Sequence, residues 1–393
     1  HTLGLSPLVA GLIWNRGYTQ LETAQAYLDA SIDGLLDPFL MSGMQRAVDR
    51  TMHAIIEKER IVVHGDYDVD GLCATALIVQ CFRSLGLSVE SHIPSRLNEG
   101  YGLNRETLHS LARKGGGLLI TVDCGITNIA EVEAALRDGF DVIVTDHHQP
   151  LAELPSACAV VNPLQPGCQY PNKSLCGTAI AFKFLMALRR TLRDKGWTGV
   201  FPNLRRFLDL VALATVADVV DIQGENRILL RHGLKELASS TRPGLKSLIR
   251  TARISPETLS GTCSLSYGQV AFQLGPRINA AGRLDKAGQA LALLLETDPG
   301  EATQLASELD GFNTERQDLQ NRIYDKIRKR LLLDSIRTDR PIIMQGDDWH
   351  PGVLGIVASK LTEEFYIPVI LIGMAGEKGV GSGRSFGNFH LQQ

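Results

Sequence analysis

Aromatic residues make up only 6% of the 393-residue chain, and no stretch reaches the roughly 18 uncharged apolar residues that a membrane-spanning helix needs. The seven cysteines are scattered, form no CxxC pair and follow no signal peptide. That pattern argues against a disulfide framework and fits free thiols in a reducing cytoplasm. An excess of basic charge is also missing. Forty Lys and Arg against 43 Asp and Glu give a formal net charge of −3, so no general field draws the chain to nucleic acid or anionic membrane, and any polyanion contact must be a local patch. Walker loop, nucleophile elbow and Rossmann glycine fingerprint are all absent, which disfavours nucleoside-triphosphate and nicotinamide chemistry. There is no internal repeat and no low-complexity tract. The chain begins at His1 rather than Met and ends in FHLQQ, so a fragment of something longer is expected.

What is present is the composition of an ordinary enzyme, 44% hydrophobic and 21% charged, at a length that suggests two or three compact units. The first fifty residues show helical spacing (Thr23 to Leu28, Met44 to Ile56) and predict a helical cap. From Ile61 the pattern becomes βαβα, with IVVHG, LSVESHI, LLITV and DVIVT as strands and helical stretches between them, which implies a parallel sheet. Past Pro155 the sequence predicts a loop rich in Pro, Asn and Cys, then a helical region through Arg193 and the helix LRRFLDLVALATVADVV. A Gly-broken, mostly helical stretch runs from Lys235 to about Asp310, and a charged amphipathic helix over Asn313 to Ile336 suits a bridge between two domains. PIIMQG and IPVILIG then read as strands around the helix GVLGIVASKL, a second and smaller α/β unit. The expected division is 1–50 (helical segment), 51–235 (catalytic domain), 236–338 (helical connector with a phosphate-binding loop) and 339–393 (smaller domain).

Three strands end in acidic groups: Asp66, Asp68 and Asp70 after IVVHG, Asp123 after LLITV, and Asp146 with His147 and His148 after DVIVT. In an open parallel sheet the strand carboxyl ends line the ligand crevice, so these residues are expected to converge there, with Asp218 at a nearby helix end. Each motif also has a plainer reading. A DxD pair with His64 four residues before it is often a solvated turn, and Asp123 fits a helix N-cap. Taken together, carboxylates and imidazoles without thiolates at useful spacing suit Mn²⁺ or Mg²⁺, and two such ions suit phosphoryl ester hydrolysis. Basic residues beside glycines form a second constellation: Arg277, Asn279 and Arg283 in GPRINAAGRLD, and Arg384 with Ser385 in GSGRS, both read as Gly-rich loops gripping phosphate. A salt bridge between domains is the alternative for these arginines. Arg96 after the second strand is a further candidate. His350 either serves the cleft or caps its helix, and the charged helix with Arg316, Arg322, Lys326, Arg328, Lys329 and Arg330 either tracks a nucleic-acid backbone or is a solvated face.

HGDYDVDG, TVDCGI, VTDHHQP and ATVADVV together resemble the four motifs of the DHH phosphoesterase superfamily. LGPRINAAGRLDKA, WHPGVLGIVASKL and GSGRSFGNFHL are similar to the RecJ branch, single-stranded-DNA-specific 5′-to-3′ exonucleases, including the DHH-associated domain. The resemblance implies one metal ion held by His64, Asp68 and Asp123, and a second held by Asp70, Asp123, His147 and Asp218, with Asp123 bridging. It places His148 at the scissile phosphate and makes Asp66 and Asp146 supporting groups. Arg96, Arg277, Arg384 and Ser385 match positions that hold the DNA backbone or its 5′ phosphate. Its expected setting is cytoplasmic recombination or repair, beside a helicase and a single-strand-binding protein. Two departures stand out. Cys124 replaces the Asn of many superfamily members, and the chain stops where RecJ proteins normally continue into an OB-fold. Two alternatives follow: a DHH enzyme of short oligonucleotides or cyclic dinucleotides, and a catalytically silent DNA-binding scaffold.

Overall fold

The computed structural model describes residues 3–255, 257–259, 262–333, 340–376, 378–387 and 391. Three helices open the chain: α1 (Pro7–Asn15), α2 (Leu21–Asp29) and α3 (Met44–Ile56). A five-stranded sheet follows, built from β1 (Ile61–His64), β2 (Val89–His92), β3 (Gly117–Val122), β4 (Phe140–Thr145) and β5 (Ala159–Val161). Its order is β2-β1-β3-β4-β5 and every pairing is parallel. The connections α4 (Val69–Ser84), α5 (Arg105–Ala112) and α6 (Ile129–Arg137) are crossover helices. Because the chain goes from β1 outward to β2 and then returns across to β3, the strand order reverses between β1 and β3. Their carboxyl ends open the crevice where such sheets bind ligands.

The inner strands β1, β3 and β4 are mainly apolar on both faces because both faces are covered, whereas β2 (VESH) is only partly buried. Ile61, Val63, Leu118, Ile120 and Val122 face a core shared with α4, α7 (Gly177–Asp194), α8 (Leu208–Ala217) and α9 (Gly224–Ala238). Val62, Leu119, Val142 and Val144 pack instead on Leu108, Val132 and Ala135 of α5 and α6. β5 falls in the Pro-rich stretch read as a loop. Three residues, Ala159 to Val161, pair with β4 there, too short a run to stand out among its neighbours.

Beyond α9 come α10 (Pro243–Thr251), the hairpin of β6 (Glu257–Leu259) and β7 (Thr262–Ser264), the turn α11 (Tyr267–Gln269), a π-helical segment (Val270–Leu274), α12 (Gly275–Arg283) and α13 (Ala287–Leu295). GPRINAAGRLD is therefore a helix and not the expected loop. Pro276 occupies the first turn, where its missing N–H costs nothing. Gly282 is present for another reason: a Cβ there would lie 2.2 Å from the Tyr67 carbonyl oxygen.

The bridging helix α14 (Pro299–Leu333) has 35 residues, so it begins well before the predicted Asn313 and runs through Gly311. Its expected last residues, 334 to 336, lie outside the described ones. Ala302, Ala306 and Leu309 join the main core, whereas Ile323 and Ile327 join a second core. That second core is made with β8 (Ile342–Gly346), α15 (Pro351–Phe365) and β9 (Val369–Ala375), and the exposed edge strand β10 (Lys378–Arg384) completes the sheet, with strand order β10-β9-β8. One helix thus ties the two units by burying a face in each. GSGR belongs to β10, paired antiparallel with β9, and not to a loop. The expected divisions after residues 50 and 235 fall inside α3 and α9, both of which contribute to the main core.

Candidate metal centre and nucleic-acid interface

At the β1 end the turn HGDYDVDG feeds α4. Asp68 is the N-cap, its Oδ1 accepting from the amides of Asp70 (2.9 Å) and Gly71 (3.1 Å). Asp70 is held by the start of α7: its Oδ2 accepts from Gly177 N (2.6 Å) and its Oδ1 from Thr178 N (2.7 Å). An 18-residue helix thus points its amino end at a carboxylate. Gly177 is obligatory there, since a Cβ would meet the Asp123 carboxylate at 2.6–2.9 Å.

At the β3 end Asp123 has φ +60°, a left-handed conformation that Asp tolerates better than most residues. The plain N-cap reading fails, because Asn128 precedes α6. At the β4 end Asp146 Oδ1 accepts from His147 N (2.7 Å), His148 N (3.1 Å) and His148 Nδ1 (2.7 Å). Its Oδ2 accepts from Ile126 N at 3.0 Å. Asp146 therefore orients the His148 imidazole and pins the backbone of both histidines. His147 Nε2 lies 3.0 Å from Asp123 Oδ1 and 3.8 Å from Asp70 Oδ2, and its Nδ1 lies 3.7 Å from Asp218 Oδ2. Asp218, the C-cap of α8, completes the set.

Convergence of the distant motifs is thus realised. Ligand atoms of Asp70, His147 and Asp218 lie within 4.8 Å of one another, as do those of Asp66, Asp68 and Asp123, and of Asp123, His147 and His148. His64 is buried at the end of β1 and is absent from those three groupings, but its Nε2 is one of three site atoms buried without a hydrogen-bond partner. Asp66 Oδ1 and Asp123 Oδ1 are the others, the latter lying 3.0 Å from His147 Nε2 without a hydrogen bond between them. Leaving such an atom unpaired costs about 1–3 kcal/mol. These oxygens and nitrogen fit a hard divalent cation, and no thiolate contributes.

Electrostatics agree. Burial, then neighbouring carboxylates, pushes Asp66 up to about 7 and Asp218 up to about 8, and raises Asp68 and Asp123 as well. Burial takes His64 down to about 3, so its imidazole is neutral. His148 moves the other way: burial opposes its charge, but the hydrogen bond and charge of Asp146 outweigh that and raise it. In the same pair burial works against Asp146, yet His148 and the amides hold it below the ordinary carboxylate value.

The basic candidates fall into two groups. Arg283 donates to Gly352 O (3.2 Å) and is brought down to about 10 by burial and then by the charges of Arg96, Arg316 and Arg384. Arg96 lies over the Tyr67 ring at 5.1 Å. Arg384 is held by Ser359 Oγ (3.0 Å) and Ser382 Oγ (3.2 Å), with Ser385 exposed beside it. Among the described residues none of these four arginines pairs with a carboxylate within 4.0 Å. Arg277 and Asn279 are already engaged: Arg277 with Asp310 Oδ1 (2.8 Å) and Gln273 O (2.6 Å), Asn279 Oδ1 with Val69 N (3.2 Å). His350 caps α15, its Nδ1 accepting from Gly352 N at 3.1 Å. On the charged helix Arg328 pairs with Glu364 and Lys326 with Asp348.

Sequence reading passed over several groups at the site. The Tyr101 hydroxyl donates to Asp123 O (3.2 Å) and accepts from His148 Nδ1 (2.9 Å). Asn162 Nδ2 donates to His148 O at 2.9 Å. Glu99 holds the loop between β2 and α5 through Ser95 N (2.8 Å) and His92 (3.0 Å). Only the adjacency of Tyr101 to NEG and GL glycine signals hinted at a shaped loop.

The model of the DHH family, N-terminal domain, matches residues 60–215. The single-stranded-DNA-specific exonuclease RecJ of Bacillus subtilis is 40% identical over 393 residues, covering 99% of this chain and 48% of that protein. The Escherichia coli protein of the same description is 41% identical over 400 residues, covering 99% of this chain and 67% of that one. A crystal structure of exonuclease RecJ bound to manganese superposes with a TM-score of 0.77 at 36% identity, over 90% of this chain and 84% of the other. The chain thus spans about half the length of the first relative and two thirds of the second.

Proposed function

We propose, from the premise that this chain belongs to the RecJ family of DHH proteins, that it hydrolyses single-stranded DNA from the 5′ end and releases 5′-mononucleotides. The observation that carries this reading is a pair of uncompensated clusters facing one another: acidic and imidazole groups at the sheet edge, and arginines without carboxylate partners beside them. A phosphodiester with a terminal phosphate satisfies the arginines, and divalent cations satisfy the acids.

Two Mn²⁺ or Mg²⁺ ions would be held by His64, Asp68 and Asp123 and by Asp70, Asp123, His147 and Asp218. When bound, ions of this class lower the pKa of a water and neutralise charge on phosphoryl oxygens. The chain supplies the rest. Asp146 and Tyr101 share the His148 Nδ1 hydrogen, which leaves Nε2 to donate a proton to the departing 3′ oxygen. The raised pKa of His148 keeps that proton available near neutrality. Arg96, Arg283 and Arg384, with Ser385, grip the 5′ phosphate, whereas Arg277, Asn279 and His350 shape the walls of the cleft from their engaged positions. We place this activity in cytoplasmic DNA recombination or repair, fed by a helicase and a single-strand-binding protein. No helix among the described residues is long and apolar enough to cross a membrane.

The test is a nuclease assay with Mn²⁺ or Mg²⁺ on end-labelled strands over a range of salt. Loss of label from 5′-phosphorylated single strands as mononucleotides, falling steeply with ionic strength, is expected. Preference for dinucleotides or cyclic dinucleotides would move the chain to the short-substrate branch of DHH enzymes.

A further inference from the structure

We infer that Cys124 is a positioning residue for the metal centre: its sulfur fixes the His64 imidazole as the Nδ1–H tautomer and so keeps the Nε2 lone pair free for the cation. The inference rests on the proposed role of His64 as a ligand, and it concerns a residue that does not itself reach the crevice.

The geometry begins with the pairing of β1 and β3, which puts His64 opposite Thr121. The chain then turns at Asp123 with φ +60°, so that consecutive side chains part company. Asp123 offers its carboxylate to the ligand set, and Cys124 turns back against β1. Thr121 Oγ1 donates to Cys124 O at 2.8 Å and locks that turn. Cys124 Sγ lies 3.8 Å from His64 Nδ1 and 3.8 Å from the His64 carbonyl oxygen, both within reach of sulfur. The thiol hydrogen can point to the carbonyl, which leaves a sulfur lone pair to accept from Nδ1–H. The other ring nitrogen, Nε2, is buried with no partner. A neutral imidazole carries one hydrogen. Placed on Nε2 it would be a buried donor without an acceptor, whereas on Nδ1 it meets the sulfur.

Metal-bound histidines commonly have their second nitrogen fixed in this way by an oxygen acceptor, and loss of that partner costs about 10–100-fold in metal affinity. Sulfur is the weaker acceptor, so the lower end of that range applies. The competing view is that Cys124 only fills the core, as buried cysteines often do. The two views separate in the metal-free protein.

The experiment uses the full chain labelled with ¹⁵N-histidine. A long-range ¹H–¹⁵N spectrum, with the His64 signals assigned through His64→Gln, reads the tautomer. Electron paramagnetic resonance of free Mn²⁺ reads affinity. The wild type is expected to show Nδ1–H at His64. Cys124→Ala is expected to show a mixed tautomer and Mn²⁺ binding about tenfold weaker. Cys124→Ser, whose hydroxyl can accept the same hydrogen, is expected to recover the tautomer and most of the affinity. A wild-type Nε2–H signal, or Cys124→Ala with an unchanged tautomer whatever its affinity, would overturn the inference. Neither readout requires DNA cleavage, so a chain that binds Mn²⁺ this way but cuts no strand would refute the nuclease reading alone.

Discussion

Two buried charged clusters lie in the same domain and are treated in opposite ways. In the first, Glu225 Oε1 accepts from Lys183 Nζ (2.5 Å) and Leu36 N (3.0 Å), and Oε2 accepts from the Tyr170 hydroxyl (2.6 Å). Lys183 also donates to Leu36 O. Both charged side chains are at most 1% exposed. Every partner comes from within the chain, so the cluster joins the segment after α2 to α7 and α9 and completes itself. In the second, at the carboxyl ends of β1, β3 and β4, carboxylates crowd one another and three buried atoms have no partner. Buried charge that the chain balances holds the fold together. Buried charge that the chain leaves unbalanced marks where something from outside belongs.

Removing one carboxylate from each cluster should therefore have opposite effects. Asp123→Asn is expected to lower cleavage by about a thousandfold or more, the scale of losing a group that organises charge in the transition state. The same change removes a carboxylate whose charge is disfavoured by burial and then by Asp70, Asp68, Asp146 and Asp66, so the metal-free variant should melt above the wild type. A lower melting temperature would put Asp123 in the structural class instead. Glu225→Ala should do the reverse. Stranding buried Lys183 costs about 3–5 kcal/mol, visible in urea unfolding, while Mn²⁺ affinity measured on the folded fraction stays at the wild-type value.

A smaller effect is expected at the arginines. Arg96→Ala and Arg384→Ala should each raise KM for a 5′-phosphorylated strand by roughly ten- to a hundredfold, the scale of one charged hydrogen-bonding partner. They should leave melting nearly unchanged, because Arg96 is part-exposed over the Tyr67 ring and Arg384 is exposed. Equal losses on a 5′-hydroxyl strand would show that they hold the backbone and not the terminus.

The smallest effect is a slope. In the metal-free protein Asp66 and Asp218 keep protons up to about 7 and about 8, against 3.8 in the unfolded chain. Between those limits the folded state binds more protons than the unfolded one. Their contribution to stability is full below 3.8 and is lost as pH rises through the folded values. Thermal melts from pH 5 to 8 should fall with pH, and Asp218→Asn should flatten the fall. Identical slopes in both proteins would contradict the crowding described here.

How much of this was legible without coordinates follows from what each residue depends on. The strands before Asp66, Asp123 and Asp146 show as apolar runs because both sheet faces are covered, and their acidic ends stand out by contrast. The convergence of those ends follows from parallel topology alone. GPRINAAGRLD and GSGRS read as loops in the sequence because their glycines look like turn signals. Gly282 actually serves close packing on Tyr67, and Gly381 and Gly383 lie in the antiparallel pairing with β9. Asn162 and the amides of Gly177 and Thr178 left no trace in the sequence, and Tyr101 only its glycine neighbours, since their roles exist only once distant segments meet.

The unbalanced cluster is expected to take two cations. Diffraction from crystals grown with Mn²⁺, recorded at the manganese absorption edge, tests this most directly. Two anomalous peaks are predicted, about 3.5–4 Å apart, with the Asp123 carboxylate between them and His64 and His147 on opposite sides. A single peak, or two that do not share Asp123, would contradict it.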